Sequence, residues 1–251
     1  MLAIPYAFVG SDTRVHVTGL SDASSIPNAR EPDLSRDGKW VVYWADGQQM
    51  SCLLQLRNLS TGKERTLRRA NLRSPRFSPD GTTVCFTEYR DNKWTLCSIS
   101  ATGGAIRVMQ KGKDTFMPVW QDDGSLYAQV DSKFVAMDGR GEIVRTYPVP
   151  VTSSADTAVE GPDGTLYYTS DAPSDFPKGK TDDPTISVAY RWTPTEGVSR
   201  VSPPKTSLGT IRVWNGMLIG AGATVNGSGI FSLSFDGKKF AYLGPGREPG
   251  V

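Results

Sequence analysis

A glycine-centred turn recurs along this chain at a nearly fixed interval, and that interval constrains the fold more than any other feature. The first series places Gly38 (LSRDG), Gly81 (FSPDG), Gly124 (WQDDG), Gly164 (EGPDG) and Gly216 (VWNG), at successive separations of 43, 43, 40 and 52 residues. A second series, Gly62 (STG), Gly104 (ATGG), Gly139 (MDG), Gly197 (TEG) and Gly237 (FDG), falls between them. Asp-Gly flanked by apolar, β-branched and aromatic residues is a strong hairpin signal. Two interleaved turn series at about 40 residues are the signature of a propeller blade of four antiparallel strands.

Ser74–Gly104 sets the pattern. It predicts a strand at Arg76–Ser78, a Pro-Asp-Gly turn, a strand at Val84–Tyr89, a polar turn at Arg90–Lys93 and a strand at Trp94–Ser100. Val84, Cys85 and Phe86 run apolar without alternation, as a strand covered on both faces does. Five full units follow: 28–70, 71–113, 114–153, 154–203 and 204–245. Residues 1–27 hold a partial sixth, with strands near Tyr6–Val9 and Val15–Thr18. Arg247-Glu248-Pro249-Gly250-Val251 echoes Arg30-Glu31-Pro32-Asp33-Leu34. The expectation is therefore one all-β domain over 1–251, a six-bladed propeller whose tail (246–251) completes the N-terminal blade and shuts the ring, removing unpaired edges. A five-bladed ring with a loose N-terminal hairpin is the rival. Ser170–Pro184 (SDAPSDFPKGKTDDP) reads as a surface loop, and long loops on rigid scaffolds are disproportionately functional.

The repeats resemble the WD40-like repeats of TolB-type propellers, roughly P-x-F-S-P-D-G followed by an apolar strand, a charged turn and a further strand. Pro75, Phe77, Ser78, Pro79, Asp80 and Gly81 match outright. Pro32, Ser35, Asp37 and Gly38 match in the preceding unit, and Pro118, Trp120, Asp123 and Gly124 in the next. The resemblance spans most of the chain and fades after Gly164. It implies the fold and leaves function open, because such repeats occur in translocation factors, peptidase propeller domains and stand-alone modules.

With 28 Lys and Arg against 26 Asp and Glu, the net charge of +2 gives no global push toward nucleic acid or membrane. The apolar opening, Met1–Gly10, contains Pro5, is too short to span a bilayer and has no secretory-signal features. A cytoplasmic or virion setting is expected, or a periplasmic one if a signal was removed. Cys52, Cys85 and Cys97 form an odd set without CxxC spacing, which argues for buried thiols over disulfides or zinc. His16 is the only histidine and has no Gly-x-Ser-x-Gly elbow to serve. Gly179-Lys180-Thr181 lacks the first glycine and the helix of a phosphate loop, and Gly220–Gly229 reads as a hairpin connection. No cofactor and no metal site are expected.

The sharpest charge feature is Lys63, Arg65, Arg68, Arg69, Arg73 and Arg76, relieved only by Glu64. It reads either as an edge strand protected by charge or as a docking patch for a protein partner. No aromatic residue is interleaved in sequence, which ranks nucleic acid last. In the long loop, Asp175, Lys178, Lys180, Asp182 and Asp183 form a second candidate, Asp182-Asp183 without the spacing of a calcium loop. Glu31, Ser74, Met117 and Glu248 are expected near the axis. The expectation is a binding and scaffold module without a reaction of its own, an adaptor for other protein subunits, with a phage virion or tail as a possible setting. The alternatives are a TolB-like periplasmic interaction module and a small lactonase-like hydrolase using Glu31 and Glu248 as an acid/base pair.

Overall fold

A computed structural model describes residues 7–8, 17–18, 29–47, 51–112, 116–149, 151–152, 156–178, 184–214 and 216–244. Among them, five four-stranded antiparallel sheets follow one another in sequence order. Blade one holds β3 (Ala29–Leu34), β4 (Trp40–Asp46), β5 (Cys52–Asn58) and β6 (Glu64–Ala70). Blade two holds β7 (Leu72–Phe77), β8 (Thr83–Arg90), β9 (Lys93–Ser100) and β10 (Arg107–Gly112). Blade three is β11 (Val119–Trp120), β12 (Leu126–Val130), β13 (Lys133–Met137) and β14 (Ile143–Thr146). Blade four is β15 (Ala158–Glu160), β16 (Leu166–Pro173), β17 (Thr185–Thr193) and β18 (Gly197–Arg200). Blade five is β19 (Thr206–Trp214), β20 (Met217–Thr224), β21 (Gly227–Ser234) and β22 (Phe240–Gly244). The first strand of each blade is innermost, and the inner strands contact one another in turn: β3 with β7, β7 with β11, β15 with β19.

The expected sixth blade is corrected to five. Every described blade is completed by four consecutive strands and borrows none from a distant part of the chain. The first 27 residues contain no Asp-Gly pair. Their described part is a ribbon of two short strands, β1 (Ala7–Phe8) and β2 (Val17–Thr18), joined by only two residue pairs. Residues 246–251, assigned to the missing inner strand, lie outside the described residues, as does His16.

The core is a set of layers between blades. Val84 and Phe86 face blade one, packing with Val42, Leu54 and Leu56 there and with Leu72 of their own blade. Cys85, the residue between them, faces blade three with Phe116, Leu126 and Val135. This is why the strand reads apolar without alternation: both faces are covered. Burial pushes the Cys85 thiol up to about 12 and the Cys97 thiol to about 11, so neither is reactive at neutral pH.

The turn chemistry explains the repeat. In S-x-D-G turns the serine hydroxyl and the aspartate fold back together. Ser78 Oγ donates to Asp80 Oδ1 (2.5 Å), which also accepts from the Thr82 amide (3.0 Å), while Ser78 Oγ accepts from the Thr83 amide. Ser35–Asp37 and Ser234–Asp236 repeat the arrangement. Gly81 supplies the left-handed φ of +70° that the turn needs. In the second series, the MDGRG turn takes that conformation at Gly141 rather than Gly139. The β8–β9 connection is tighter than the polar four-residue turn the sequence suggests: only Asp91 and Asn92 turn, both at positive φ, as in a two-residue hairpin.

Hydrogen bonds from these turns hold Asp37, Asp80, Asp123, Asp138, Asp163 and Asp236 below the ordinary aspartate value of 3.8. A carboxyl depressed in the folded state contributes stability above its unfolded value and loses it as pH falls through its folded one. Stability should therefore be flat from neutral pH down to about 5 and fall steeply below 3.8. At the alkaline end, burial lifts the Tyr168 hydroxyl to about 12. A raised acid of this kind stabilises below its unfolded value of 10.0 and ceases to as pH rises through 12. Thermal melts from pH 2 to 11 check both limbs; an acid limb as flat as the neutral region would remove the turn aspartates from the account.

Two differences concern blades four and five. The segment Ser170–Pro184 is not loop throughout. Ser170 to Pro173 continue β16, pairing with Val188 to Thr185, so the connection shortens to 174–184. The proline is tolerated because Pro173 faces Thr185 in a non-hydrogen-bonded pair, the next bond running from the Ser174 amide to the Pro184 carbonyl. In blade five, Gly220, Gly222 and Gly229 lie inside β20 and β21 rather than in the connection, which is the two residues between Thr224 and Gly227.

Candidate binding face and axial site

Alignment on the turn glycines places chemically distinct residues on equivalent positions of the inner strands. Five residues ahead of Gly38, Gly81, Gly124, Gly164 and Gly216 stand Asp33, Arg76, Val119, Val159 and Ile211. All five are buried. Seven residues ahead stand Glu31, Ser74, Met117, Thr157 and Gly209. In blades one, two and five the ladder slips between these layers, from Arg30 to Asp33, Arg73 to Arg76 and Leu208 to Ile211. Glu31 and Ser74 sit on the bulges at left-handed φ of +47° and +52°, strain that must be held by neighbours.

They are held by each other. Glu31 Oε2 accepts the Ser74 amide at 2.7 Å, and Ser74 Oγ donates to Met117 Sδ at 3.4 Å. One layer down, Asp33 Oδ2 accepts the Phe77 amide at 2.8 Å and Oδ1 accepts from Arg212 Nη1. Asp33 thereby ties blade one both to its neighbour and to blade five. Glu31, Ser74 and Met117 do come together as expected; Glu248 lies outside the described residues, so its pairing with Glu31 does too.

The six cations of the basic run do not form one patch. Arg68 grips Glu88 of blade two with Nε at 3.1 Å and Nη2 at 2.8 Å, and Glu88 is 4% exposed at its side chain. Arg65 donates to the carbonyls of Ala101 and Thr102 in the same neighbouring blade. These two fasten blade one to blade two. Arg76 is buried at the axis. Lys63, Arg69 and Arg73 remain on the surface. Removing Arg68 strands a buried carboxylate, so Arg68→Ala should cost about 2–3 kcal/mol, reduced from the usual range because the arginine is itself one-third exposed. Restored stability in Arg68→Ala with Glu88→Gln would confirm the cause; a melt unchanged by Arg68→Ala would show the pair to be idle.

Strand direction sorts the surface cations. The first turn series and Lys63 lie at one end of the blades. At the other end lie the β4–β5, β8–β9 and β16–β17 connections, with Arg69 paired opposite Leu53 and Arg73 opposite Thr87 near it. Aromatic side chains absent from the basic run in sequence are supplied there in space. The Arg73 guanidinium lies 5.9 Å from the Trp94 ring centre, and Tyr89 meets Trp94 edge-on at 5.3 Å. Arg30, the blade-one equivalent of Arg73, lies 5.3 Å over Trp44 of its second strand. The sequence reading missed these pairs, although the spacing of 43 between Arg30 and Arg73 was available.

The long connection, 174–184, opens on the same end. Its Asp175 is anchored, Oδ2 accepting from Arg200 Nη1 and from the Lys205 amide, each at 3.0 Å. Lys178 is exposed; Lys180, Asp182 and Asp183 lie outside the described residues. No group of three His, Cys, Asp or Glu able to hold a metal ion occurs among the described residues.

Five four-stranded sheets in series, with their first strands in mutual contact, define a β-propeller, and its fold is similar to that of TolB structures. TolB of Agrobacterium tumefaciens superposes with a TM-score of 0.62 at 16% identity, over 86% of this chain and 80% of that one. The β-propeller domain of the Trilobed protease from Pyrococcus furiosus gives 0.59 at 13% identity, over 88% and 70%. A puromycin-hydrolysing peptidase of Mycobacterium tuberculosis gives 0.60 at 16%, over 88% of this chain and 38% of that one. No family model and no curated protein matches the chain. The expectation of a module without a reaction of its own is corrected by these neighbours: the fold occurs in peptidases as well as in TolB, so an enzymatic role is compatible with it.

Proposed function

We propose that this propeller binds a partner polypeptide on the end that carries the β4–β5, β8–β9 and β16–β17 connections, and serves there as a docking part of a larger assembly. The observation that carries the reading is the Arg73–Trp94–Tyr89 stack, with Tyr89 42% exposed. Arginine and large aromatics in contact are the residues that dominate protein interfaces, because they bring contact area and charge with little flexibility to lose. Arg69, near the same end of the blades, adds positive potential, which would favour an acidic partner surface. The likeness to TolB supports the reading at the level of fold.

The test is quantitative binding of the partner recovered by cross-linking. The Tyr89→Ala, Arg73→Ala double variant should weaken it at least tenfold while moving the melting temperature little. Lys63→Glu, at the opposite end of the blades, should leave it unchanged. Loss with Lys63→Glu and retention in the double variant would assign docking to the other end. Binding of an oligothymidylate through Arg73 and Trp94 would assign the stack to nucleic acid.

A further inference from the structure

The axial layer contains one arginine that the fold does not use in the way proteins use buried arginines. Arg76 is 5% exposed. Its Nη1 donates to the Pro75 carbonyl at 2.9 Å and reaches the Glu31 carbonyl at 3.5 Å. Its Nε is buried without any acceptor, and no carboxylate among the described residues pairs with it. The two acids nearest in the repeat are already engaged. Asp33 divides its oxygens between the Phe77 amide and Arg212, and Glu31 turns Oε2 to the Ser74 amide. Among the described residues the Nε–Nη2 edge of the guanidinium therefore has no partner, and it is the edge that grips a carboxylate with two parallel hydrogen bonds.

A second donor nearby is also under-used. Ser74 is 2% exposed, and its hydroxyl donates only to the thioether of Met117, a weak acceptor. Two residues of one inner strand, in adjoining layers, thus leave donor capacity unspent at the axis; the layer of Arg76 is completed by Asp33, whose oxygens are engaged elsewhere, and by Val119, Val159 and Ile211. A buried charge without a counter-ion is costly to a fold, and native proteins seldom keep one without a use for it. The missing partner is an acceptor that carries negative charge. With Asp33 and Glu31 close by, a singly charged group is favoured over a doubly charged phosphate.

We infer that Arg76, with Ser74, forms an axial site for a carboxylate borne on a peptide. The site is separate from the Arg73–Trp94–Tyr89 stack, so either can fail without the other. The guanidinium edge takes the two carboxylate oxygens, and the Ser74 hydroxyl turns from Met117 to one of them. Burial of both residues, Arg76 at 5% and Ser74 at 2% exposure, strengthens both contacts.

Three probes decide it, by calorimetry and by the Arg76 Nε–Hε NMR signal on the whole chain. These are N-acetyl-trialanine, its C-terminal amide, and N-acetyl-Ala-Glu-Ala amide. The free acid should bind at least tenfold more tightly than the trialanine amide and shift the Arg76 signal. If the Glu-containing amide binds as tightly as the free acid, the carboxylate is read from a side chain; if it does not, from a chain end. Arg76→Met should abolish the preference for acid over amide. Arg76→Lys, which keeps the charge but not the two-pronged edge, should reduce it at least fivefold and covers the case in which the methionine variant does not fold. Equal affinity for acid and amide in the parent, or a preference that survives in the lysine variant undiminished, overturns the assignment.

Discussion

Replacing Asp33 with alanine should lower the stability of the protein by about 4 kcal/mol, and its melting temperature by about 10 °C. Asp33 is buried, and both of its oxygens are engaged. Its loss leaves the Phe77 amide without an acceptor in a dry layer and takes from Arg212 the carboxylate it holds across the axis. Unsatisfied buried donors are among the few single changes that exceed the ordinary mutational effect; the broken pair adds less, because the Arg212 side chain is one-third exposed. Asp33→Asn separates the two contributions. The amide oxygen can still accept from Phe77, so the asparagine variant should retain about half of the lost stability. An Asp33→Ala protein that melts within 2 °C of the parent (about 1 kcal/mol at most) would mean that the contacts at the axis contribute nothing.

The second large effect belongs to Gly222. It sits in the middle of β20 between Leu208 on one side and Gly229 on the other. A Cβ there would stand 2.0 Å from the Ser207 carbonyl oxygen and 3.0 Å from Leu208 Cδ2. The first of these is backbone and cannot rotate away, so the inner strand of blade five would have to separate from β20. Gly222→Ala should cost at least about 3 kcal/mol, at the upper end of overpacking effects. Gly38→Ala is the control. A Cβ there meets nothing within 4 Å, and only the left-handed φ of +68° opposes it, a penalty of about 1 kcal/mol. Chemical denaturation of the two variants gives the comparison directly; equal losses would show that the strands yield to the added Cβ without separating.

The blades were legible because their turns are chemical. Ser78, Asp80 and Gly81 each perform a named local task, and local tasks leave a fixed spacing behind. Val84, Cys85 and Phe86 were legible for the same reason, since burial on two faces leaves a run without alternation. The number of blades was not, because residues 1–27 offer apolar strands without the turn that makes a blade of them. The basic run misled in a different way. Arg68 and Arg73, five residues apart, belong to the outer strand of one sheet and the inner strand of the next, so proximity along the chain said little about proximity in space. The Arg73–Trp94 and Arg30–Trp44 stacks were hidden for the converse reason. Arg30 and Arg73 share a distance from their turn glycines, but Trp44 lies on the second strand of its blade and Trp94 on the third, so no common spacing links the rings to the arginines. Arg76 could be placed at the axis from that distance, but its unmatched edge could not, because Asp33 might equally have faced it.

Each described blade is woven from consecutive strands, while the contact between Arg212 and Asp33 spans 179 residues. This wiring dictates an order of assembly. The first sheet can pair while later ones are still being translated, since short-range closures are entropically cheap and form early. The axial bond between the two ends of the series can be made only when every intervening sheet is in place. It therefore marks the completion of folding rather than its nucleus, and its removal should quicken unfolding while leaving the rate of folding nearly untouched.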